Sequence, residues 1–458
     1  MLGIPHPYWT SSIPGVGGVI KERPEDFVVE EVPLYTACGQ GEHTYFEIEK
    51  IDLSTFEALE RLSRELRVEV KEFGYAGLKD RKGLTRQTIS IAHVDPARIE
   101  SIEIPQLRVL WARRHTNKLR IGHLRGNRFS VWIRDAQGGA AESVGEIVRL
   151  VAEHGLPNYY GPQRFGNRGD AHRVGRSFLR RDDRAGVRRI LGHPSSTEQN
   201  PHVVRARKHF MAGEISDALD SFPSAYREER RLLAYLLEAG ENYSGAKKRL
   251  RDSSRKLYFT AYQSYLFNLV LSERLRRTGG DVARLLEGDV AFLHRNGAVF
   301  RVVDAAAEEP RTRSFEVSPS GPIFGMRMPA PLGIEAEIEE EILSREGIQV
   351  KDFHQLMPHL RLDGGRRPFR VKVEDLVWRV EGADLYFEFF LPKGSYATTF
   401  FREVMKNELA VDGFYEEGEE EKHSLWRPPT PPPVEVPVLE AHDPLQLVNG
   451  EQGAENGK

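Results

Sequence analysis

Cysteine is almost absent from this chain of 458 residues, with Cys38 standing alone. A single thiol excludes an internal disulfide and cannot by itself hold a metal. No histidine or asparagine arrangement marks it as a nucleophile, so Cys38 reads as inert. Long apolar runs are missing too: no stretch approaches the roughly 18 residues that a membrane span needs. The opening MLGIPHPYWTSSIPG has neither a basic start nor an apolar signal core. These absences point to a cytoplasmic protein with no membrane partner. The segment GVGGVIK lacks the GK[ST] ending of a P-loop and reads as a turn before a strand. No G-x-S-x-G nucleophile context occurs. His354 and His359 in HQLMPHL lack metal-ligand spacing and companions, so no metal site is expected.

What the chain does contain is unevenly distributed charge. The total is −3, but from Val411 onward eleven acids face only Lys422, Arg427 and Lys458. That tail carries −8, which leaves the first 410 residues at +5. Within them, Arg113 to Arg128 holds six Lys or Arg and no acid, and Arg164 to Arg189 holds nine arginines against three aspartates. Such density suits phosphate recognition by bidentate forks and counterion displacement, with Arg113, Arg114, Arg164 and Arg168 as candidates. The plain alternative is a solvated surface with local pairs.

The length allows two or three domains at about 100 to 200 residues each. DFVVEEV and HTYFEIEKI alternate as strands. STFEALERLSREL opens with a capping box, Ser54 and Glu57, and sets Phe56, Leu59, Leu62 and Leu66 on one helical face. FGYAG and TRQTISI read as strands joined by LKDRKGL, and RFSVWIRDA as another strand. Val144, Ile147, Val148 and Val151 mark a helix that stops at Gly155. Arginine-rich helical text follows, in which Leu266, Leu269 and Val270 form a core stripe. Strands return in PFRVKVEDLVWRV and LYFEFFLPKGSYATT. The pattern predicts a sheet domain in two pieces, 1–159 and 366–410, interrupted by an inserted domain over 160–365. The acidic, proline-rich 411–458 tail is expected to have no fixed structure.

The chemistry-bearing stretch is GYAGLKDRKGLTRQ, where Asp80 is the one carboxylate among Lys79, Arg81, Lys82 and Arg86. Fixed cations favour the charged form of a carboxylate, which suits nucleophilic attack or stabilisation of positive charge at a sugar carbon. A glycoside hydrolase would need a second carboxylate at a set distance, and this stretch offers none. A surface hairpin turn with local ion pairs is the bland alternative.

FGYAGLKDRKGLTRQ resembles the signature of the TruD family of tRNA pseudouridine synthases. IKERPEDFVVEEV, GEHTYFEIEK, RGNRFSVWIR, NYYGPQRFG, AYQSYLFN, GPIFG and FLPKGSYATTFFRE resemble that family's other segments, in the same order. The length of the insertion resembles the archaeal and eukaryotic branch. The resemblance implies an α/β fold: a catalytic domain with a mixed, largely antiparallel sheet, interrupted by an inserted α/β TRUD domain. It implies isomerisation of uridine to pseudouridine in tRNA, at position thirteen, with Asp80 as the catalytic aspartate and no metal or other cofactor. By motif position, Phe27, Asn127, Phe129 and Tyr396 become substrate contacts, and Lys21 a cationic partner for Asp80. Tyr396 departs from the phenylalanine common in bacterial members. tRNA is the implied partner, no protein partner is indicated, and a monomer is expected. Competing readings are a non-catalytic RNA-binding protein or tRNA chaperone, and a hydrolase that releases free uracil.

Overall fold

The computed structural model describes residues 7–407 other than 167, 196, 197, 199, 326, 355–359 and 361. The 411–458 tail, His359 and the side chain of His354 lie outside the described residues.

Alternating apolar and polar positions build the strands. They are β1 (Phe27–Pro33), β2 (His43–Ile51), β3 (Gly74–Tyr75), β4 (Leu84–Ala92), β5 (Leu107–His115), β6 (Leu124–Ile133), β7 (Leu156–Pro157), β8 (Val290–Leu293), β9 (Val299–Arg301), β10 (Val317–Ile323), β11 (Gly365–Pro368), β12 (Arg370–Val371), β13 (Glu374–Glu381) and β14 (Asp384–Pro392). The main sheet runs β13-β14-β6-β1-β4-β2-β5, with β3 also on β4. Only the β1–β4 pairing within it is parallel. This is the mixed, largely antiparallel sheet anticipated from the sequence. β4 carries two neighbours on one edge: β1 pairs with residues 84–86 and β3 with residues 89–90. The connection 76–83 therefore runs back along β4 and carries Asp80.

Helices cover one face of this sheet. Thr55–Leu66 packs Ala58, Leu59, Leu62 and Leu66 onto Phe46, Ile48, Ile89 and Ile91. Its capping box forms as read, with Ser54 N–H donating to Glu57 Oε2 at 2.7 Å and Glu57 N–H to Ser54 Oγ at 3.2 Å. Phe56 does not share the buried face and stays 51% exposed. It lies about 100° around the helix from Thr55, which takes the inward position. Ala140–His154, capped at Gly155, and Ala397–Met405 cover the other half over Val29, Phe129, Val131, Phe387 and Phe389. The second helix begins inside text that reads as a continuing strand. Phe400, Phe401, Val404 and Met405 at helical spacing are what turn it onto the core.

β7 pairs with β12 through Leu156↔Val371 and Pro157↔Arg370, so the chain leaves and re-enters the main layer at one place. The segment between is mostly helical, with a small sheet ordered β11-β10-β8-β9. Its core centres on the helix Asp252–Arg277, whose Leu266 and Val270 are fully buried.

Candidate functional site

The site starts on the helix-covered face of the main sheet, in the seam between its two apolar cores. Strand alternation puts Glu31 of β1, Asn127 of β6, Thr85 and Gln87 of β4, and Lys50 of β2 on that face. Thr85, Gln87 and Lys50 are fully buried. The opposite face carries the charged row Glu30, Arg86, Glu49 and Arg108, joined by successive ion pairs. One face thus holds solvated charge and the other a buried polar strip.

The 76–83 loop sits on that strip. Lys79 inserts its ammonium against Glu31 Oε2 at 2.6 Å, with side chains only 3% and 1% exposed. Its backbone N–H donates to Thr55 Oγ1, which donates in turn to Gln87 Oε1. Lys50 Nζ donates to the carbonyl oxygens of Leu53 and Asp80, the latter at 2.8 Å. Burial pulls the Lys50 ammonium down to about 8, and the nearby Asp80 charge opposes that fall. At the far end Gly83 has φ +120, and a Cβ there would lie 2.4 Å from the Phe27 carbonyl oxygen, so the loop closes against β1 only with glycine.

Asp80 lies between these anchors, and its surroundings differ from the cationic cluster suggested by the sequence. Lys79 pairs with Glu31, Arg81 with Glu57, and Arg86 with Glu30 and Glu49. Among the described residues, the hydrogen bond recorded to the Asp80 carboxylate comes from a neutral group, Gln163 Nε2 at 3.0 Å from Oδ1. Lys79, Arg81 and Arg86 are instead drawn to acids brought near by the fold.

Gln163 belongs to the 3-10 turn Pro162–Phe165, and this turn is held firmly. The backbone of Tyr160 is gripped by Asn268, which accepts from its N–H at 2.8 Å and donates to its carbonyl at 3.0 Å. Arg164 Nε donates to Ser264 Oγ, and Phe165 is buried edge-on against His172. NYYGPQRFG and AYQSYLFN are therefore one packed unit. Gly161 lies so close to Tyr396 and Thr398 that a Cβ would meet Thr398 Oγ1 at 2.7 Å.

Several of the sequence candidates converge here. Lys21, in left-handed backbone, holds Nζ 4.2 Å above the Phe27 ring. Phe27 meets Phe129 edge-on, and Phe129 stacks on Phe389. Asn127 Oδ1 is buried without a protein hydrogen-bond partner, as are Thr85 Oγ1 and Gln87 Nε2. Tyr396 meets Tyr160 edge-on at 6.0 Å, and burial raises its phenol above the ordinary value. The guanidinium of Arg367 lies over Tyr160 at 4.1 Å and that of Arg164 at 5.7 Å.

Other candidates fall elsewhere. Arg113 and Arg114 on β5 face Tyr45 and Thr44, whereas Lys50 is five residues along β2, about 17 Å away at 3.3 to 3.4 Å per residue. Arg114 also pairs with Asp95. Arg168 does not face outward for a phosphate. Its guanidinium donates to the carbonyls of Arg189, Ile190, Gly192 and His193 and pairs with Asp170, with the side chain 16% exposed. It closes the C-terminal end of the helix Asp183–Leu191. Sequence reading missed Lys50, Gln163, Tyr160 and Arg367. Lys50 was signalled by alternation, since it shares the inward parity of Phe46 and Ile48. Gln163 carried no comparable signal.

This architecture superposes on a solved structure described as the putative tRNA pseudouridine synthase D (TruD) from Methanosarcina mazei, with a TM-score of 0.73 and 28% identity over 88% of this chain and 97% of that one. The fold is that of a pseudouridine synthase. The family model described as tRNA pseudouridine synthase D (TruD) matches residues 3–404, and the chain belongs to that family. A relative named tRNA pseudouridine synthase D from Geotalea daltonii is 44% identical over 88% of this chain and 100% of its own. One from Thermus thermophilus is 37% identical over 88% and 93%. A probable member from Thermococcus onnurineus is 34% identical over 87% and 97%. These identities do not favour the archaeal likeness read from the insertion's length.

Proposed function

We propose that the chain isomerises the uridine at position thirteen of tRNA to pseudouridine, with the Asp80 carboxylate as nucleophile. Family membership supplies the reaction class, uridine isomerisation in tRNA. The observation that supports the finer reading is the placement of Asp80, on a loop pinned at Lys79, Lys50 and Gly83, the last of them packed against Phe27. The reaction breaks the C1′–N1 bond, turns the uracil and joins C5 to C1′; the proton lost from C5 is balanced by one gained at N1. An ionised carboxylate beside C1′ serves this step. The uridine must leave its stack to reach Asp80. Asn127 Oδ1, buried and unpartnered, offers an acceptor for the uracil N3–H. Phe27, Phe129 and Tyr396 supply apolar faces for the base, with Lys21 beside Phe27 as the cation of the pocket. Arg113 and Arg164 remain the candidates for the tRNA backbone, and 160–365 is read as the inserted TRUD domain.

The test is pseudouridine mapping on an unmodified tRNA transcript, by carbodiimide adduct and primer extension, with wild type and Asp80→Asn side by side. A stop at position thirteen with wild type, reduced at least about 1000-fold in rate in the variant, is expected. A stop of equal strength with the variant would overturn the assignment of Asp80. Salt-sensitive tRNA binding with no stop from either protein would favour a non-catalytic RNA binder, and free uracil would favour a hydrolase.

A further inference from the structure

Gln163 stands out because it is a neutral donor bonded to the carboxylate on which the proposed chemistry depends. Its Nε2 lies 3.0 Å from Asp80 Oδ1, across a sequence separation of 83 residues. The side chain is itself exposed, so packing does not explain where it points. The turn beneath it is fixed from below: Asn268 grips Tyr160, Ser264 accepts from Arg164, and Phe165 is buried. Gly161 is pressed against Thr398 and Tyr396. The long helix Asp252–Arg277 therefore sets the position of the amide, and the amide sets the position of the carboxylate.

We infer that Gln163 is a positioning residue for Asp80, a proposal that rests on the catalytic reading of Asp80 above. An amide N–H holds one carboxylate oxygen and leaves the other free for the ribose. Being uncharged, it orients the group without the charge neutralisation that an ammonium or guanidinium would impose. Several neighbouring cations make their recorded contacts elsewhere than on the Asp80 carboxylate. Lys50 Nζ is on the Asp80 carbonyl, Lys79 on Glu31, Arg81 on Glu57 and Arg164 on Ser264. Gln163 thus couples the part of the chain that follows β7 to the loop that carries the nucleophile.

The experiment measures single-turnover pseudouridine formation and tRNA affinity for wild type, Asp80→Asn, Gln163→Ala and Gln163→Glu across pH. Gln163→Ala should lose about 10-fold to 100-fold in the single-turnover rate, as expected for a lost hydrogen bond to a charged group, with tRNA affinity within about twofold of wild type. Gln163→Glu should give a bell-shaped profile displaced towards acid. A protonated glutamic acid donates to Asp80 as the amide does, whereas two ionised carboxylates at this distance repel each other. A purely structural role would not produce that shape. Wild-type rates in Gln163→Ala, or a loss in Gln163→Glu that does not vary with pH, would overturn the proposal. Full activity in Asp80→Asn would instead overturn the catalytic reading, so the two failures are distinguishable.

Discussion

Removing one partner of the Lys79–Glu31 pair should damage the protein more than removing both. The ions sit 2.6 Å apart with side chains 3% and 1% exposed, so neither can turn to water if its partner is lost. In Lys79→Met, Glu31 keeps only the Thr88 N–H at Oε1, 3.3 Å away, and its charge is left buried. An uncompensated buried charge costs about 3 to 5 kcal/mol. Glu31→Gln strands the ammonium in the same way. The double variant Lys79→Met with Glu31→Gln removes both charges and keeps an acceptor for Thr88, and should return to within about 1 to 2 kcal/mol of wild type. At about 2 to 4 °C per kcal/mol for a cooperative unit of this size, each single variant should melt roughly 10 °C below wild type. Calorimetry on the four proteins of the cycle reads the coupling, expected at about 4 to 9 kcal/mol. Single-turnover rates on tRNA should follow the same order, because Lys79 directly precedes Asp80. Losses that simply add, to within about 0.5 kcal/mol, would show the pair to be uncoupled and refute the reasoning.

Other outcomes follow from single contacts. Gly83→Ala should lower both stability and activity, since the left-handed backbone is strained for alanine and its Cβ would strike the Phe27 carbonyl; a melting temperature equal to wild type would contradict this. Lys50 has a folded pKa near 8, below its unfolded value, so the unfolded chain binds more protons between about 8 and 10.5. Stability should therefore rise with pH across that window, and Lys50→Met should flatten the rise in denaturant titrations at successive pH values. Arg168→Ala should lower the melting temperature while leaving the salt dependence of tRNA binding unchanged, whereas Arg164→Ala should reduce the slope of log affinity against log salt by roughly one contact.

Most of the scaffold was legible because local chemistry decides it. The Ser54–Glu57 box, the Gly155 stop and the period-two strands each depend on residues a few positions apart. The helix Ala397–Met405 was not, since its apolar residues also satisfy a strand pattern and only the core beneath decides between them. Asp80 could be located from sequence, but its environment could not. The basic neighbours suggested an electrostatic nest, while the fold gives Lys79, Arg81 and Arg86 to acids that lie 24 to 56 residues away in the chain. Arg168 was misread for the same reason: arginine density in sequence does not tell whether a guanidinium faces solvent or the carbonyl end of a helix.

The two neighbours sharing one edge of β4 have a mechanical consequence. Tyr75 is moored beside Ile89, and five residues back along β4, about 17 Å, lies Leu84, where the connection must end. The nine Cα steps between Tyr75 and Leu84 could span about 30 Å if extended. The surplus is slack, and it lets the loop reach Lys50 and Glu31 on the sheet as well as Gln163. Cutting two residues from the tether would remove about 7 Å of reach and take Asp80 out of range of Gln163, so the length of this connection fixes where the carboxylate sits as much as its anchors do.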